Sequence, residues 1–142
     1  SDFLEFVEFA NARDVRFLIV GGYAVAFHGH PRYTKDLDVW IERTPENADR
    51  LLQALEDFGF GSMDLEQEDF LDEKQVVQLG RPPMRIDLLT SVSGLTFSDC
   101  YSNRRDIELD GVCVPFVGLE DLKRNKRATG RHQDLADLEN LE

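Results

Sequence analysis

The chain has 142 residues, with 28 acidic and 16 basic side chains and a formal net charge of −12. This balance argues against broad binding to DNA, because such binding needs a basic surface to meet the phosphates. The length suits one domain with a hydrophobic core. No stretch approaches the roughly 18 consecutive apolar residues of a membrane span, and no signal-peptide pattern opens the chain. We expect a single-domain cytoplasmic protein without membrane contact.

Hydrophobic periodicity predicts alternating helices and strands in the first part of the chain. Gly21-Gly22 ends the first strand, and Thr44-Pro45 is typical of a helix start. The predicted elements are, in order, a helix over 2–12, a strand over 16–20, a short helix over 23–28, a strand over 37–41 and a helix over 46–58.

The second part predicts strands and then helices. Residues 62–74 are acidic and weakly patterned, which favours a loop, and Asp110-Gly111 is a strong two-residue hairpin signal. The predicted elements are strands over 75–79, 85–89, 104–109 and 112–116, followed by helices over 119–129 and 131–141. The order predicts one α/β domain over 1–142, with helices packed against a mixed sheet. Its core is expected over 16–90, followed by a C-terminal hairpin and helices over 104–142.

Asp36 and Asp38 lie in the second predicted strand. Side chains alternate along a strand, so both carboxylates project from one face with Cα atoms about 6.6 Å apart. Aspartate is disfavoured in strands, and two on one face repel each other unless a cation lies between them. The pair therefore predicts a magnesium or manganese site, with ordinary strand-edge acids as the alternative. An acidic chain also needs a metal ion to bind an anionic triphosphate.

The glycines Gly21 and Gly22 precede these aspartates by one short helix. Glycine lets the backbone approach phosphate closely, and the helix behind it offers free N–H groups. A phosphate cradle beside a carboxylate pair predicts phosphoryl or nucleotidyl transfer. A plain tight turn is the alternative for the glycines.

The stretch LIVGGYAVAFHGHPRYTKDLDVWIE carries these features together, in the order GG, HG, R-x-T and D-x-D. In this order they resemble the nucleotidyltransferase superfamily that includes DNA polymerase β. Within it, the chain is similar to small bacterial minimal nucleotidyltransferases, relatives of lincosamide and aminoglycoside nucleotidyltransferases and of abortive-infection toxins. The resemblance is tightest over 17–42 and returns at 85–89.

A third carboxylate is expected from Asp87, which interrupts an apolar run in a predicted strand. An unpaired buried charge there would cost several kcal/mol. The resemblance implies that Asp87 joins Asp36 and Asp38 in holding the catalytic metal and can act as a base toward the acceptor hydroxyl. An ion pair between Asp87 and Arg85 is the alternative, and Asp99 is a weaker candidate for the third position.

The resemblance also implies nucleotide contacts. Gly21 and Gly22 match the phosphate-binding glycines, although the family often has Gly-Ser there. Arg32 and Thr34 are candidates to contact phosphate or shape the pocket, with a surface salt bridge as the alternative for Arg32. Lys126 is a candidate to reach the triphosphate, with a solvated basic helix face as its alternative.

The sequence therefore predicts a metal-dependent transfer of a nucleoside monophosphate from an NTP, with ATP favoured, to a hydroxyl acceptor. The acceptor is open among a protein such as a partner toxin, tRNA and a small molecule. A toxin–antitoxin or phage-defence setting follows from the resemblance alone. The alternative is a non-catalytic interaction module of antitoxin type. A kinase is less favoured because no G-x-x-x-x-G-K-[ST] motif is present.

Overall fold

A computed structural model describes residues 2–29, 36–61, 64–81 and 84–142 of the chain. The helices are α1 (Asp2–Ala12), α2 (Gly21–Phe27), α3 (Pro45–Leu55), α4 (Phe97–Ser102), α5 (Leu119–Thr129) and α6 (His132–Leu141). The strands are β1 (Phe17–Val20), β2 (Asp36–Ile41), β3 (Val76–Arg81), β4 (Met84–Leu89), β5 (Arg105–Leu109) and β6 (Val112–Phe116). None of the helices in these ranges is both long and apolar enough to cross a membrane.

The six strands form one mixed sheet in the order β3-β4-β2-β1-β6-β5. Strand β2 lies between β1, to which it is antiparallel, and β4, to which it is parallel. Strand β6 runs parallel to β1, so the C-terminal hairpin extends the central sheet. The predicted single α/β domain with helices on a mixed sheet is confirmed.

Because side chains alternate along β2, its core residues and its two aspartates lie on opposite faces of the sheet. Leu37, Val39 and Ile41 are fully buried, whereas Asp36 and Asp38 on the opposite face are partly exposed. Farther along that face Trp40 is buried again, and the ring of Phe97 meets it edge-on at 5.3 Å between centroids. The open part of this face is therefore the end of the sheet where β2 begins.

Four local features differ from the sequence prediction. Helix α2 begins at Gly21 itself, and α3 ends at Leu55, followed by an irregular turn over Glu56–Phe60 in which Gly59 has a positive φ of 106°. The predicted loop over 62–74 contains a 3-10 turn at Gln67–Phe70. Helix α4 was not predicted, because its six residues are too few to show a helical period.

Asn47 fixes α3 against the two central strands. Its side chain is buried, and its Oδ1 accepts a hydrogen bond from the Arg16 backbone N–H at 2.7 Å. Its Nδ2 donates to the carbonyl oxygens of Arg16 at 3.0 Å and Glu42 at 2.9 Å. The start of β1 and the end of β2 are thereby held together, which supports the register that places Val20 opposite Asp38.

Replacing Asn47 by alanine should lower the free energy of unfolding by about 2–3 kcal/mol, because buried backbone groups lose their partner. Urea denaturation measures the change. Asn11→Ala is the matched control, since the Asn11 side chain is exposed and donates one hydrogen bond to the Cys113 carbonyl oxygen. Equal effects of the two substitutions would contradict a special role for Asn47.

Candidate active site

The turn between β1 and α2 touches the carboxylate of Asp38. Gly21 has a positive φ of 69°, a conformation that favours glycine. A methyl group at this position would overlap the Asp38 carboxylate. Glycine is therefore required here by its conformation and by its closeness to Asp38, independently of any phosphate. The predicted turn and the predicted D-x-D pair are direct neighbours.

Asp36, Asp38 and Asp87 share one face of the sheet, which is named the carboxylate face. The parallel register of β2 and β4 places Asp38 opposite Asp87 and Asp36 opposite Arg85. Paired strands lie about 4.8 Å apart, so the Asp87 carboxylate faces the same space as the D-x-D pair. The structure thus brings together the three carboxylates that the sequence singled out. That they bind metal stays a prediction.

Arg85 occupies the space between two of these carboxylates. One terminal nitrogen donates to Asp36 Oδ2 at 2.7 Å and to Asp87 Oδ2 at 3.3 Å, and Nε donates to Asp87 Oδ1 at 3.1 Å. The ion pair between Arg85 and Asp87, which was one of the two interpretations of Asp87, is therefore present. In the described part of the chain, no three His, Cys, Asp or Glu side chains form a group that could hold a metal ion.

Asp38, whose carboxylate Arg85 does not bind, lies in an environment that disfavours its charged form. Burial raises the pKa of the Asp38 carboxyl from 3.8 to about 6, and the negative charges of Asp87 and Asp36 act in the same direction. The positive charges of Lys126 and Arg85 oppose this rise without cancelling it. The ionised form of Asp38 is therefore disfavoured, mainly by burial and further by its two negative neighbours, and an additional cation would favour it.

The donors at this face fit a hard divalent cation in their chemistry. Magnesium and manganese prefer carboxylate oxygens, and Asp36, Asp38 and Asp87, which share one face of the paired strands β2 and β4, can supply them. The fit requires Arg85 to give up its contacts with Asp36 and Asp87, since its guanidinium holds the same oxygens.

Lys126 lies in a buried ion cluster between α5 and α6. Its side chain is 7% exposed, and its Nζ is 3.4 Å from Asp134 Oδ1 and 3.2 Å from Asp137 Oδ2. The alternative of a solvated basic face is therefore wrong for Lys126. Contact with a triphosphate stays a prediction. The charge of Lys126 nevertheless reaches the carboxylate face, because it lowers the pKa of Asp38.

Asp134 and Asp137 were not singled out as partners of Lys126. Burial alone would raise the pKa of Asp134, but hydrogen bonds from Arg131 and Thr129 and the charge of Lys126 hold it well below its usual value. Arg131 Nε donates to Asp134 Oδ2 at 2.6 Å. Their three-residue spacing in a helix predicts that the two acids share one face, but it does not indicate which cation that face meets.

The other candidates have separate positions. Arg32 and Thr34 lie outside the described residues, so their roles stay predictions. His28, the histidine of the HG pair in the motif stretch, has its Nε2 2.8 Å from the Val117 carbonyl oxygen, as suits a packing residue. Asp99 lies on α4 and accepts a hydrogen bond from the Thr96 hydroxyl at 2.7 Å.

The raised pKa of Asp38 predicts a pH-dependent cost of folding. The unfolded chain releases this proton near pH 3.8 and the folded protein near pH 6, so the Asp38 contribution to stability falls as pH rises through this window. In metal-free buffer, Asp38→Asn should stabilise the protein at pH 8 by about 2 kcal/mol, after discounting for partial exposure.

Urea unfolding of wild type and Asp38→Asn in EDTA, from pH 4 to pH 8, measures this difference. The gain should shrink toward zero at the acidic end. A gain that does not change with pH, or a loss of stability at pH 8, would contradict the electrostatic origin.

Comparison with solved structures shows two related folds. A candidate nucleotidyltransferase of Thermotoga maritima superposes with a TM-score of 0.62 at 15% identity, covering 95% of this chain and 86% of that one. An antigenic nucleotidyltransferase-like protein of Paracoccidioides brasiliensis superposes with a TM-score of 0.55 at 20% identity, covering 99% of this chain and 76% of that one. At these identities the likeness establishes the fold.

Comparison at the level of sequence gives a family. No curated protein matches the chain significantly. The sequence model of a family described as "Nucleotidyltransferase of unknown function (DUF6036)" matches residues 3–142. The expected resemblance to small nucleotidyltransferase-like proteins is confirmed. The chain therefore belongs to this nucleotidyltransferase family of unknown function, and its α/β domain has the fold of that group.

Proposed function

We propose that this protein is a metal-dependent nucleotidyltransferase that moves a nucleoside monophosphate from an NTP, with ATP favoured, to a hydroxyl acceptor. The observation that carries the proposal is the environment of Asp38. Its carboxyl is partly buried beside Asp36 and Asp87; burial first, and then the negative charges of these two aspartates, raise its pKa to about 6 against the opposing charges of Lys126 and Arg85. Sites that bind cationic cofactors and charged substrates commonly show such perturbed groups.

The reaction forms a bond between the acceptor oxygen and the α-phosphorus and breaks the bond from that phosphorus to the bridging oxygen, so pyrophosphate leaves. Magnesium held by the three aspartates would neutralise the triphosphate and make the acceptor hydroxyl more acidic. Such transfers need positioning and charge neutralisation more than covalent help from the protein.

The residues of this chain divide the remaining tasks. Gly21, which is half-buried at the start of α2, lets phosphate oxygens approach the backbone there; Gly22 is buried in α2, and its contact with phosphate stays a prediction. Asp87 accepts the proton of the acceptor hydroxyl and passes it to solvent. Lys126 supplies positive charge from within its ion cluster, which stabilises the negative charge that gathers on the leaving pyrophosphate.

The acceptor is open among a partner-protein hydroxyl, tRNA and a small molecule, and the favoured setting is toxin–antitoxin or phage defence. The net charge of −12 makes long RNA a poor fit. The support for this setting is the resemblance to small bacterial nucleotidyltransferases.

A non-catalytic interaction module is the second candidate, and the Arg85 contacts favour it. Three carboxylates without metal would be costly, but Arg85 binds two of them without any ion from solution. Saturable binding of Mn²⁺ that requires Asp38 would favour the enzyme, since a module that only docks has no need of it.

The first test is incubation with each α-³²P-labelled NTP, Mn²⁺ and cell lysate, followed by identification of the labelled molecule. Asp38→Asn should abolish labelling while the protein remains folded and, without metal, gains stability. Asp106→Asn, at an exposed position on edge strand β5, is the control and should label normally. Normal labelling by Asp38→Asn would remove the carboxylate face from the reaction.

Asp87→Asn separates catalysis from structure. The amide keeps the shape but is a poorer magnesium ligand and cannot take a proton. Turnover should fall at least a hundredfold, in line with loss of a general base, while NTP affinity changes little. Turnover, NTP affinity and melting temperature are measured on the same preparation. If only the melting temperature falls, Asp87 acts as the structural partner of Arg85.

A further inference from the structure

Arg85 makes an unusually complete contact with the carboxylates. Its guanidinium donates three hydrogen bonds, and these engage both oxygens of Asp87 and one oxygen of Asp36. The side chain of Asp87 is 11% exposed, so this charge depends on its partner. Planar, two-nitrogen binding of a carboxylate is the strongest geometry available to an arginine.

The same oxygens are the ones that a divalent cation would need. A metal ion at Asp36, Asp38 and Asp87 binds through carboxylate lone pairs, and the guanidinium already uses those of Asp36 Oδ2 and of both Asp87 oxygens. The positive charge of Arg85 also repels any cation that approaches within a few ångströms. Arg85 and metal therefore exclude each other from these oxygens.

The guanidinium of Arg85 is able to move away from the carboxylates. Its side chain is 33% exposed, and that of Asp36 is 36% exposed, so both lie at the solvent boundary of the face. Arg85 lies opposite Asp36 at the open end of β2 and β4. Rotation about its side-chain bonds can carry the guanidinium into water without disturbing the strand.

We infer that Arg85 is a built-in cation of the carboxylate face, which stabilises the metal-free protein and competes with divalent metal for Asp36 and Asp87. The inference rests on the proposed metal site. It makes Arg85 a positioning residue that sets the strength of metal binding. Removal of its side chain destabilises the metal-free protein and strengthens metal binding at the same time.

The test measures Mn²⁺ affinity by calorimetry or electron paramagnetic resonance, without nucleotide, for wild type, Arg85→Lys and Arg85→Gln. Because Mn²⁺ no longer has to displace a charged hydrogen-bond partner from Asp36 and Asp87, Arg85→Gln should bind Mn²⁺ about tenfold more tightly or better. Arg85→Lys keeps the charge but loses the planar contact, and its affinity should lie between the other two. In EDTA, the melting temperature of Arg85→Gln should lie below that of wild type.

Arg43→Gln is the matched control for net charge. Arg43 forms an ion pair with Glu73 just beyond the far end of β2, away from the three carboxylates. Its replacement should leave Mn²⁺ affinity unchanged. Asp38→Asn in the Arg85→Gln background should abolish the tight binding, which locates the metal at the carboxylate face.

The outcomes separate this inference from the proposed function. Wild type that binds Mn²⁺, with Arg85→Gln equal or weaker, overturns competition and leaves the metal site intact. Failure of both proteins to bind rejects both ideas. If Arg85→Gln does not fold, Arg85→Lys decides: tighter binding than wild type supports competition, and equal or weaker binding overturns it.

Discussion

Repulsion among Asp36, Asp38 and Asp87 is the constraint to which the surrounding structure responds. Three like charges on one face of the paired strands β2 and β4 cost free energy that grows as water is excluded. The strand register leaves no freedom here, because it fixes Asp38 opposite Asp87. Positively charged side chains must therefore lie near this face, and they balance the three carboxylates to different degrees.

Two cations answer the repulsion in different ways. Arg85 comes from the same strand as Asp87 and binds carboxylate oxygens directly. Lys126 comes from α5 and acts at a distance, because Asp134 and Asp137 hold its ammonium group within the helix pair. Helix α6 therefore matters to the carboxylate face, because without its two acids Lys126 would lose these ion-pair contacts and its buried charge would be costly.

Local patterns predicted most of the fold. The helices and strands followed from periodicity, and the α/β class from their order, because each signal lies within a few consecutive residues. Helix α4 escaped prediction because six residues carry too little pattern. The start of α2 at Gly21 was not predicted, because glycine is a poor helix former. Gly21 nevertheless begins the helix, with a positive φ that glycine adopts easily.

The candidate site was predictable in its residues and less so in its contacts. The D-x-D pair and Asp87 were visible as charges placed in apolar strands, and the structure brings them together. Sequence alone left two interpretations of Asp87, since Arg85 two residues earlier lies on the same face of the strand. The pairing of Lys126 with α6 depends on how two helices pack, and no local pattern contains that information.

The contact between Gly21 and Asp38 limits what mutagenesis can reveal. Any side chain at position 21 meets the carboxylate before it meets a phosphate, so loss of function there has two causes that substitution cannot separate. Because of the same contact, every substitution of Gly21 carries a structural cost. A substitution that relieved the overlap by moving Asp38 would disturb the alignment of Asp38 with Asp87. Replacing the backbone amide of Gly21 by an ester, which adds no atoms beyond the backbone, is the kind of change that addresses the turn alone.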